Sequence, residues 1–398
     1  MPWIGLGLGF IALVIMYLDR SALSYAIKPI EADFGFSHAD FGLISSAFGF
    51  GYIISIIGGG VLADRYGVRL VWTLFACTWS IACILLGFAT GFWGFVIFRM
   101  LLGLAEAPSF PAFTRMIVDW FPVAQRGRAF ALGSSAVAFS SVIGAPITSY
   151  LIIYFGWRLA FIALGALGII WAIIWYCCYR DAPRLPVQKT QSARITPTTW
   201  KFLLSNPSLL TNYGAFFVFA YVQFFALVWL PGYLQQIYHL SLQKTAWFLI
   251  VPWITAGIFL LLGGFLSDWL LRKTQRLRVA RSHVIWTCQL LSGLCFLGVI
   301  HFHSVLSAIV LLSLGLGFNN MPAASLGLVN ADLAEDRAAT SIGIMNFAFG
   351  VAAIISPILT GFFATWTGNF NVAIFLMTGL IAVSVLGIIC WHHPDRSG

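Results

Sequence analysis

Twelve apolar runs, most of them about 20 residues or longer, follow one another along this chain of 398 residues. A transmembrane helix needs about 20 mostly apolar residues, and a water-soluble domain could not cover so much apolar surface. Apolar residues make up 60% of the chain and charged residues only 9%, which is typical of a polytopic membrane protein. The predicted spans are residues 3–27, 39–62, 70–89, 91–116, 128–153, 157–179, 207–234, 242–266, 282–302, 304–329, 338–364 and 369–391.

The net charge of +9 is explained by its distribution between the two sides of the membrane. When the loops are assigned to alternating sides, 17 of the 22 Lys and Arg residues fall on one side, three on the other and two within spans. This bias is the positive-inside pattern, which predicts that the basic side and both termini are cytoplasmic. We therefore expect a multi-pass protein of the inner, cytoplasmic membrane, and no nucleic-acid partner. The first run lacks a basic leader and a small-residue cleavage site, which favours a retained helix.

The chain matches itself at an offset of 204 residues. "YLDRSAL" from Tyr17 aligns with "YVQFFAL" from Tyr221, and "GGGVLADRYG" from Gly58 aligns with "LGGFLSDWLL" from Leu262. The repeat predicts an all-α membrane protein of two pseudo-symmetric six-helix bundles, residues 1–179 and 207–398, joined by a cytoplasmic linker over residues 180–206. Two parallel six-helix repeats are typical of alternating-access transporters, which bind substrate between the halves near the membrane midplane.

Four charged residues lie at membrane depth, all of them in the first half. Asp19 and Arg20 are in the first span, and Arg99 and Glu106 are in the fourth. Charge at this depth costs several kcal/mol, so it usually faces a partner or a water-filled cavity and has a function. The repeat has Gln223 where the first half has Asp19. A structural need shared by both halves therefore does not explain these charges.

The two arginines are predicted to bind an anion. Arg20 and Arg99 each lie about eight residues from the outer end of their span, which is a depth of about 12 Å. Two guanidinium groups at one level repel each other unless an anion lies between them. Each also presents a planar pair of donors that matches a carboxylate. We therefore expect Arg20 and Arg99 to bind a small organic anion.

The two acids are the predicted proton-coupling groups. Glu106 shares a helix face with Arg99 and lies about 10 Å deeper. An arriving anion would draw the arginines away from Glu106 and Asp19, and the freed carboxylates would then favour protonation. The alternative interpretation is that the four charged residues form two structural ion pairs between the first and fourth helices.

Further polar residues extend the predicted site. Tyr52, Gln223 and Asn346 combine hydrogen-bonding groups with a depth compatible with a cavity, so we expect them to contact substrate. Four charged residues at the predicted cytoplasmic helix ends are expected to take part in conformational gating: Asp64, Arg65, Arg69 and Asp268.

Catalytic chemistry has no support in the sequence. There is no Ser/His/Asp, Cys/His or metal-ligand constellation, and the seven cysteines lie in predicted helices or at their ends, where thiols act as small apolar groups. We expect no enzyme activity, no metal and no cofactor, with a proton gradient as the driving force.

Several stretches resemble the major facilitator superfamily and, within it, the anion:cation symporter family. They are "YLDRSALSYA", "GGGVLADRYGVR", "FRMLLGLAEAPSFPAF", "WFPVAQRGRA", "GWRLAF", "WLPGYL" and "GIMNF". The combination of "DR" in the first helix with "R" and "EAP" in the fourth is specific to this family. The resemblance implies alternating access and proton-coupled uptake of an organic anion. It also implies that Asp19 and Glu106 are proton-linked, that Arg20 and Arg99 serve substrate and coupling, and that Tyr52 and Asn346 contact substrate.

Three positions depart from the sugar-acid transporters of that family. Val137, Ala323 and Leu326 stand where those proteins have Gln, Ser and Trp. A buried site matches the hydrogen bonds of its ligand, so the loss of these polar groups favours a less hydroxylated anion. The acidic stretch "DLAEDR" from Asp332 is a further departure.

Taken from the residues and the resemblance, the predicted function is a proton-coupled symporter that imports a small organic carboxylate by alternating access. Its expected partners are the organic anion, protons and the lipid bilayer, and it is expected to be monomeric. The alternatives are an anion exchanger or exporter of amphipathic compounds, and a non-transporting organic-anion receptor.

Overall fold

The computed structural model describes residues 2–181, 197–302, 304–334 and 337–396, and these fold almost entirely as α-helix. Eleven helical segments among them are long and apolar enough to cross a membrane, as the hydropathy pattern predicts. The helices are α1 Pro2–Tyr25, α2 Ile27–Phe34, α3 His38–Tyr66, α4 Val68–Gly87, α5 Phe92–Glu106, α6 Ser109–Trp120, α7 Val123–Cys178, α8 Pro197–Ser205, α9 Pro207–Ile237, α10 Leu242–Thr274, α11 His283–His301, α12 Val305–Asn320, α13 Ala323–Ala334, α14 Ala338–Thr367 and α15 Asn371–Trp391.

The eleven segments correspond to the twelve predicted spans because α7 contains two of them. Gly156 interrupts α7 with φ 78° and ψ 161°, in a region of backbone space that glycine enters without steric cost. The predicted spans 128–153 and 157–179 are therefore separate helices that meet at this glycine.

Two predicted spans are each divided by a proline. The sequence predicts continuous helices over 91–116 and 304–329, but α5 ends at Glu106 before Pro108, and α12 ends at Asn320 before Pro322. Proline has no N–H to donate and crowds the preceding turn, so an uninterrupted helix is disfavoured there. Each break lies directly after a polar side chain within the apolar span.

The chain divides into two compact units. The first comprises Met1–Arg184, Leu227–Ile250 and Pro357–Trp366, and the second comprises Leu185–Ala226, Val251–Ser356 and Thr367–Gly398. Of the predicted linker, residues 182–196 lie outside the described residues, and α8 covers most of the rest. The predicted bundle boundaries stay a prediction.

Within the first unit, the beginning of α3 packs tightly against the last turns of α14. A Cβ on Gly42 would overlap the carbonyl oxygen of Pro357, and a Cβ on Gly361 would overlap that of His38. The backbone N–H of Ala39 also donates to Thr365 Oγ1 at 2.8 Å. These two glycines allow the helix backbones to touch, as small residues do between membrane helices.

Within the second unit, buried hydrogen bonds connect the helices. Asn212 Nδ2 on α9 donates to the Leu326 carbonyl on α13 at 3.0 Å. Ser341 Oγ on α14 bonds both Asn330 Oδ1 and the Tyr213 hydroxyl, each at 2.7 Å. The hydrophobic effect contributes little to the association of helices in lipid, so hydrogen bonds of this kind help to hold them together.

Candidate functional site

Close packing of α3 against α5 is the scaffold of the candidate site. A Cβ on Gly103 of α5 would overlap the carbonyl oxygen of Phe48, and a Cβ on Gly51 of α3 would overlap that of Met100. The absence of side chains at both glycines brings the two backbones together. The Phe48 ring is thereby held beside the two arginines of the predicted site.

Arg20 and Glu106 form a buried ion pair. Arg20 donates to Glu106 Oε2 from Nε at 3.0 Å and from Nη2 at 2.8 Å, and the two side chains are 3% and 0% exposed. Removing one partner from such a pair costs about 3–5 kcal/mol, because the other charge is left buried and alone. This pair joins α1 to α5, as the structural interpretation of these charges predicts for two of the four residues.

The depths estimated from residue counting did not reveal this pair. Counting placed Arg20 level with Arg99 and Glu106 about 10 Å deeper. Helix side chains lean toward the N-terminus of their own helix, and α1 and α5 cross the membrane in opposite directions. Arg20 and Glu106 therefore lean toward each other, and the long arginine side chain covers the remaining distance.

Aromatic rings surround the Arg20 guanidinium. Its Cζ lies 4.5 Å from the Tyr17 ring centroid, 4.6 Å from that of Phe48 and 5.6 Å from that of Tyr52. The Cζ of Arg99 lies 5.3 Å from the same Phe48 ring. One ring therefore contacts both cations, and a desolvated contact of this kind contributes about 2 kcal/mol. The Tyr52 ring thus lies beside the Arg20 guanidinium, and its contact with substrate stays a prediction.

Arg99 is a buried cation that forms no ion pair with a carboxylate in the described part of the chain. It is 2% exposed, Nη1 donates to the Arg20 carbonyl at 3.4 Å, and Nε has no hydrogen-bond partner. A buried cation without a counter-charge is costly unless an anion completes the site. Arg99 and Asp19 do not form the second ion pair that the structural interpretation requires.

Asp19 forms no ion pair or hydrogen bond with Arg20 or Arg99. It is 0% exposed, and neither carboxyl oxygen has a hydrogen-bond partner that meets normal geometry among the described residues. Its neighbour is the Cys83 thiol on α4, which itself donates to the Phe161 carbonyl at 3.5 Å. Asp19 and Glu106 thus have different surroundings, one beside a thiol and one on a guanidinium.

The second unit has a neutral polar contact between the helices equivalent to α1 and α5. Gln223 Nε2 on α9 donates to Asn320 Oδ1 at 3.0 Å, and Asn320 Nδ2 donates to Gln223 Oε1 at 3.3 Å. Asn320 occupies the last position of its helix before the proline break, as Glu106 does. The repeat therefore keeps a polar contact between equivalent helices, and at this contact only the first half is charged.

The remaining predicted substrate residue, Asn346, is half-buried on α14, and its amide makes no hydrogen bond to another described residue. Sequence reasoning missed the role of Phe48. Phe48 is one of 36 phenylalanines, and its contact with two cations could not be read from the sequence. The proline that follows both Glu106 and Asn320 was an available signal for the paired breaks.

The predicted gating residues have separate partners. Arg69 donates to the Tyr176 carbonyl from Nε at 2.9 Å and from Nη2 at 2.6 Å, and its backbone N–H donates to Asp181 Oδ1 at 3.0 Å. The guanidinium of Arg65 lies 5.3 Å from the Tyr66 ring centroid. The Asp64 side chain lies outside the described side chains.

Asp268 belongs to a cluster centred on the buried Arg281. Arg281 Nη1 lies 4.0 Å from Asp268 Oδ1, and Arg281 Nε lies 3.0 Å from Asp332 Oδ2. Arg281 also bonds the Ser267 hydroxyl. Asp332 begins the acidic stretch that departs from the family pattern, and it neutralises this arginine. Glu335 and Asp336 of that stretch lie outside the described residues.

Apolar helices that span a membrane, with a buried cationic cluster among them, define a multi-pass membrane transporter. The sequence profile of the Major Facilitator Superfamily matches residues 9–280. The chain belongs to the Major Facilitator Superfamily, and it is a transporter and not an enzyme. Its relatives are consistent with the anion:cation symporter type within that superfamily.

Two relatives align along nearly the whole chain. The hexuronate transporter of Bacillus subtilis is 33% identical over 395 residues, covering 97% of this chain and 93% of that protein. A probable sulfoacetate transporter of Cupriavidus necator is 31% identical over 396 residues, covering 96% and 91%. The fold is also that of a bacterial homologue of the human lysosomal transporter Spinster, in its inward-facing and occupied conformation. The TM-score is 0.82 at 16% identity, covering 99% of this chain and 96% of that one.

Proposed function

We propose that this transporter is a proton-coupled symporter that imports a small organic anion by alternating access. The observation that carries the proposal is Arg99, a buried cation without a carboxylate partner in the described part of the chain, which shares the Phe48 ring with Arg20. An anionic substrate would supply the missing counter-charge. Both relatives described above are named for organic acids, which supports the same substrate class.

Coupling would follow from competition for Arg20. In the structure Arg20 is held by Glu106 at 2.8 Å, so an anion that engages both arginines must draw Arg20 away from that carboxylate. Glu106 would then be buried without its counter-charge and would take up a proton. Asp19, which is buried without a cation, would hold a second proton, since burial of an unpaired charge favours the neutral acid.

The substrate is proposed to be small and sparsely hydroxylated. Val137, Ala323 and Leu326 offer no side-chain hydrogen bonds, and a site without such groups gains little from substrate hydroxyls. Sulfoacetate, named for one relative, is a two-carbon dianion without hydroxyl groups. A hexuronate, named for the other, carries several. The two compounds therefore test whether the site prefers an anion without hydroxyl groups or one with several.

Localisation in the inner membrane, with both termini cytoplasmic, is part of the proposal. The charge bias along the sequence supports it. The single-chain form is proposed as the functional unit.

The test is transport in liposomes. Carboxylic acids, including sulfoacetate and glucuronate, are first screened for thermal stabilisation of the purified protein. Uptake of the stabilising acids is then measured with and without an inward proton gradient. Accumulation driven by the gradient is the expected result. Exchange without proton dependence would favour the exchanger, and binding without flux would favour the receptor.

Arg158→Gln, which changes a half-exposed arginine of the first unit, is the control for Arg99→Gln.

A further inference from the structure

A basic loop connects α10 to the helix that follows. Counted from the last turn of α10, this loop reads "RKTQRLR", Arg272 to Arg278. None of its four cationic side chains forms an ion pair with a carboxylate in the described ranges. Clusters of Lys and Arg next to membrane helices attract anionic head groups. The positive charge of this loop is therefore available to bind an anion.

A cavity of about 970 Å³ lies between this loop and the C-terminal segment. Arg276 and Arg278 line it from the loop, His283 lines it from the start of α11, and His393 and Asp395 line it from the C-terminal segment. All of these residues belong to the second compact unit. The cavity belongs neither to the Arg20–Glu106 site nor to the pair of amides.

Several hydrogen-bond donors in this cavity are uncommitted. The Arg276 side chain is exposed and donates to no described residue. Arg278 uses one nitrogen, Nη2, on the Ile389 carbonyl at 3.3 Å. Two guanidinium groups are thus available to an anion with several acceptor oxygens.

The acid of the cavity is already engaged. Asp395 accepts from the backbone N–H of Leu277 at 2.7 Å and from that of Arg278 at 3.2 Å. These bonds fix the C-terminal segment to the loop. The guanidinium groups remain free for a second anion, and the net charge of the cavity stays positive.

Tryptophans indicate the level of the cavity relative to the membrane. Trp391, which is 62% exposed, ends α15, and Trp269, which is 51% exposed, lies near the end of α10. Exposed tryptophans concentrate where the hydrocarbon meets the head groups. The cavity adjoins both helix ends and therefore lies at the level of the phosphates.

We propose that this cavity binds a phosphate group through Arg276 and Arg278, either as the head group of an anionic phospholipid or as free phosphate. Bound phosphate ties the α10–α11 loop to the C-terminal segment. The same positive side of the molecule is predicted to be cytoplasmic, where anionic lipid is available. The site is separate from the transport site, so the failure of either proposal leaves the other unaffected.

The experiment measures thermal stability of the full-length protein in detergent micelles. Phosphatidylglycerol is titrated against phosphatidylcholine, and inorganic phosphate is titrated without lipid. We expect phosphatidylglycerol to raise Tm and phosphatidylcholine not to. Arg276→Gln/Arg278→Gln is expected to weaken the apparent affinity at least about tenfold, as loss of charge-assisted hydrogen bonds requires. If the double variant does not fold, Arg276→Gln alone gives the same test, because this side chain has no structural partner.

Arg272→Gln/Lys273→Gln is the matched control, since it removes the same charge from the same loop outside the cavity lining. The control is expected to keep the affinity. An equal loss of affinity in the control would show that the lipid binds a diffuse basic surface, and it would overturn the site. Equal stabilisation by the two lipids would also overturn it. Stabilisation by inorganic phosphate that depends on Arg276 and Arg278 would identify free phosphate as the source.

Discussion

Arg99 has the environment of a ligand-binding arginine. It is 2% exposed, its nearest cationic neighbour is itself paired with Glu106, and its Nε has no partner. A purely structural arginine at such depth has a carboxylate or several carbonyls as partners. Arg99 has one long bond to a carbonyl at 3.4 Å. Its role in anion binding is therefore the first point to test.

Arg99→Lys is expected to reduce anion affinity at least about a hundredfold, because a lysine keeps the charge but loses the planar pair of donors. Calorimetry with an acid found in the stabilisation screen measures this. Arg158→Lys, on an arginine that is 51% exposed, serves as the control. Undiminished affinity in Arg99→Lys would refute two-donor recognition at this residue.

Glu106→Gln is expected to abolish proton-driven accumulation while exchange of labelled for unlabelled substrate survives. Glutamine keeps the shape of the carboxyl and cannot release a proton, and exchange needs no net proton movement. Liposome uptake with and without a proton gradient separates the two activities. If accumulation is preserved, coupling lies with Asp19 alone.

Elements that carry a repeated hydropathy signal could be predicted closely, whereas contacts between them could not. The span over residues 3–27 corresponds to α1, Pro2–Tyr25, because an apolar run of this length has one stable form in lipid. Ion pairing between the first and fourth helices was one of the two interpretations of the sequence, but the pairing of Arg20 with Glu106 could not be specified, because it depends on side-chain lean and length. The Asp332–Arg281 pair was not predicted, since its partners are 51 residues apart.

At the level of elements, the contact between α3 and α14 depends on glycine. Gly361→Ala would place a methyl group against the His38 carbonyl and the Gly42 backbone. Overpacking of this kind typically costs about 1–3 kcal/mol, and we expect a lower Tm. Gly343→Ala on the same helix is the control, because nothing lies within 4 Å of its added Cβ. An equal Tm for the two variants would contradict the close approach.

At the scale of the whole molecule, the two halves share a framework and differ in charge. Arg20–Glu106 joins the helices of the first and fourth spans in one half, and Gln223–Asn320 joins the equivalent helices in the other, each next to a proline break. The amide pair supports the fold without titrating, so proton coupling would rest on one half. The sequence repeat predicted this asymmetry through Gln223 in place of Asp19, and the structure adds the partner Asn320.

Stability of the whole molecule should fall in mild acid because of His392. Burial, together with smaller effects of nearby His393 and Arg278, lowers the pKa of His392 to about 4. The His392 Nδ1 lies 2.6 Å from Ser282 Oγ. In the unfolded chain the pKa is about 6.5, so the folded form binds fewer protons. The neutral, buried His392 therefore contributes fully to the free energy of unfolding above pH 6.5. This contribution is lost as the pH falls toward 4, and the loss reaches up to about 3 kcal/mol.

Thermal unfolding of wild type and His392→Gln between pH 7.5 and 4.5 measures this contribution. The variant cannot take up the proton, so its Tm should change less over this range, although it is less stable at pH 7.5. Parallel pH profiles for the two proteins would show that other groups cause the acid sensitivity.

The central claim is that an organic anion takes Arg20 from Glu106 and that Glu106 then takes up a proton. Proton uptake on binding tests it most directly, by calorimetry of the purified protein in two buffers that differ in ionisation enthalpy. The account predicts uptake of about one proton per bound anion in the wild type and clearly less in Glu106→Gln. Tight binding with no proton uptake in the wild type would contradict it.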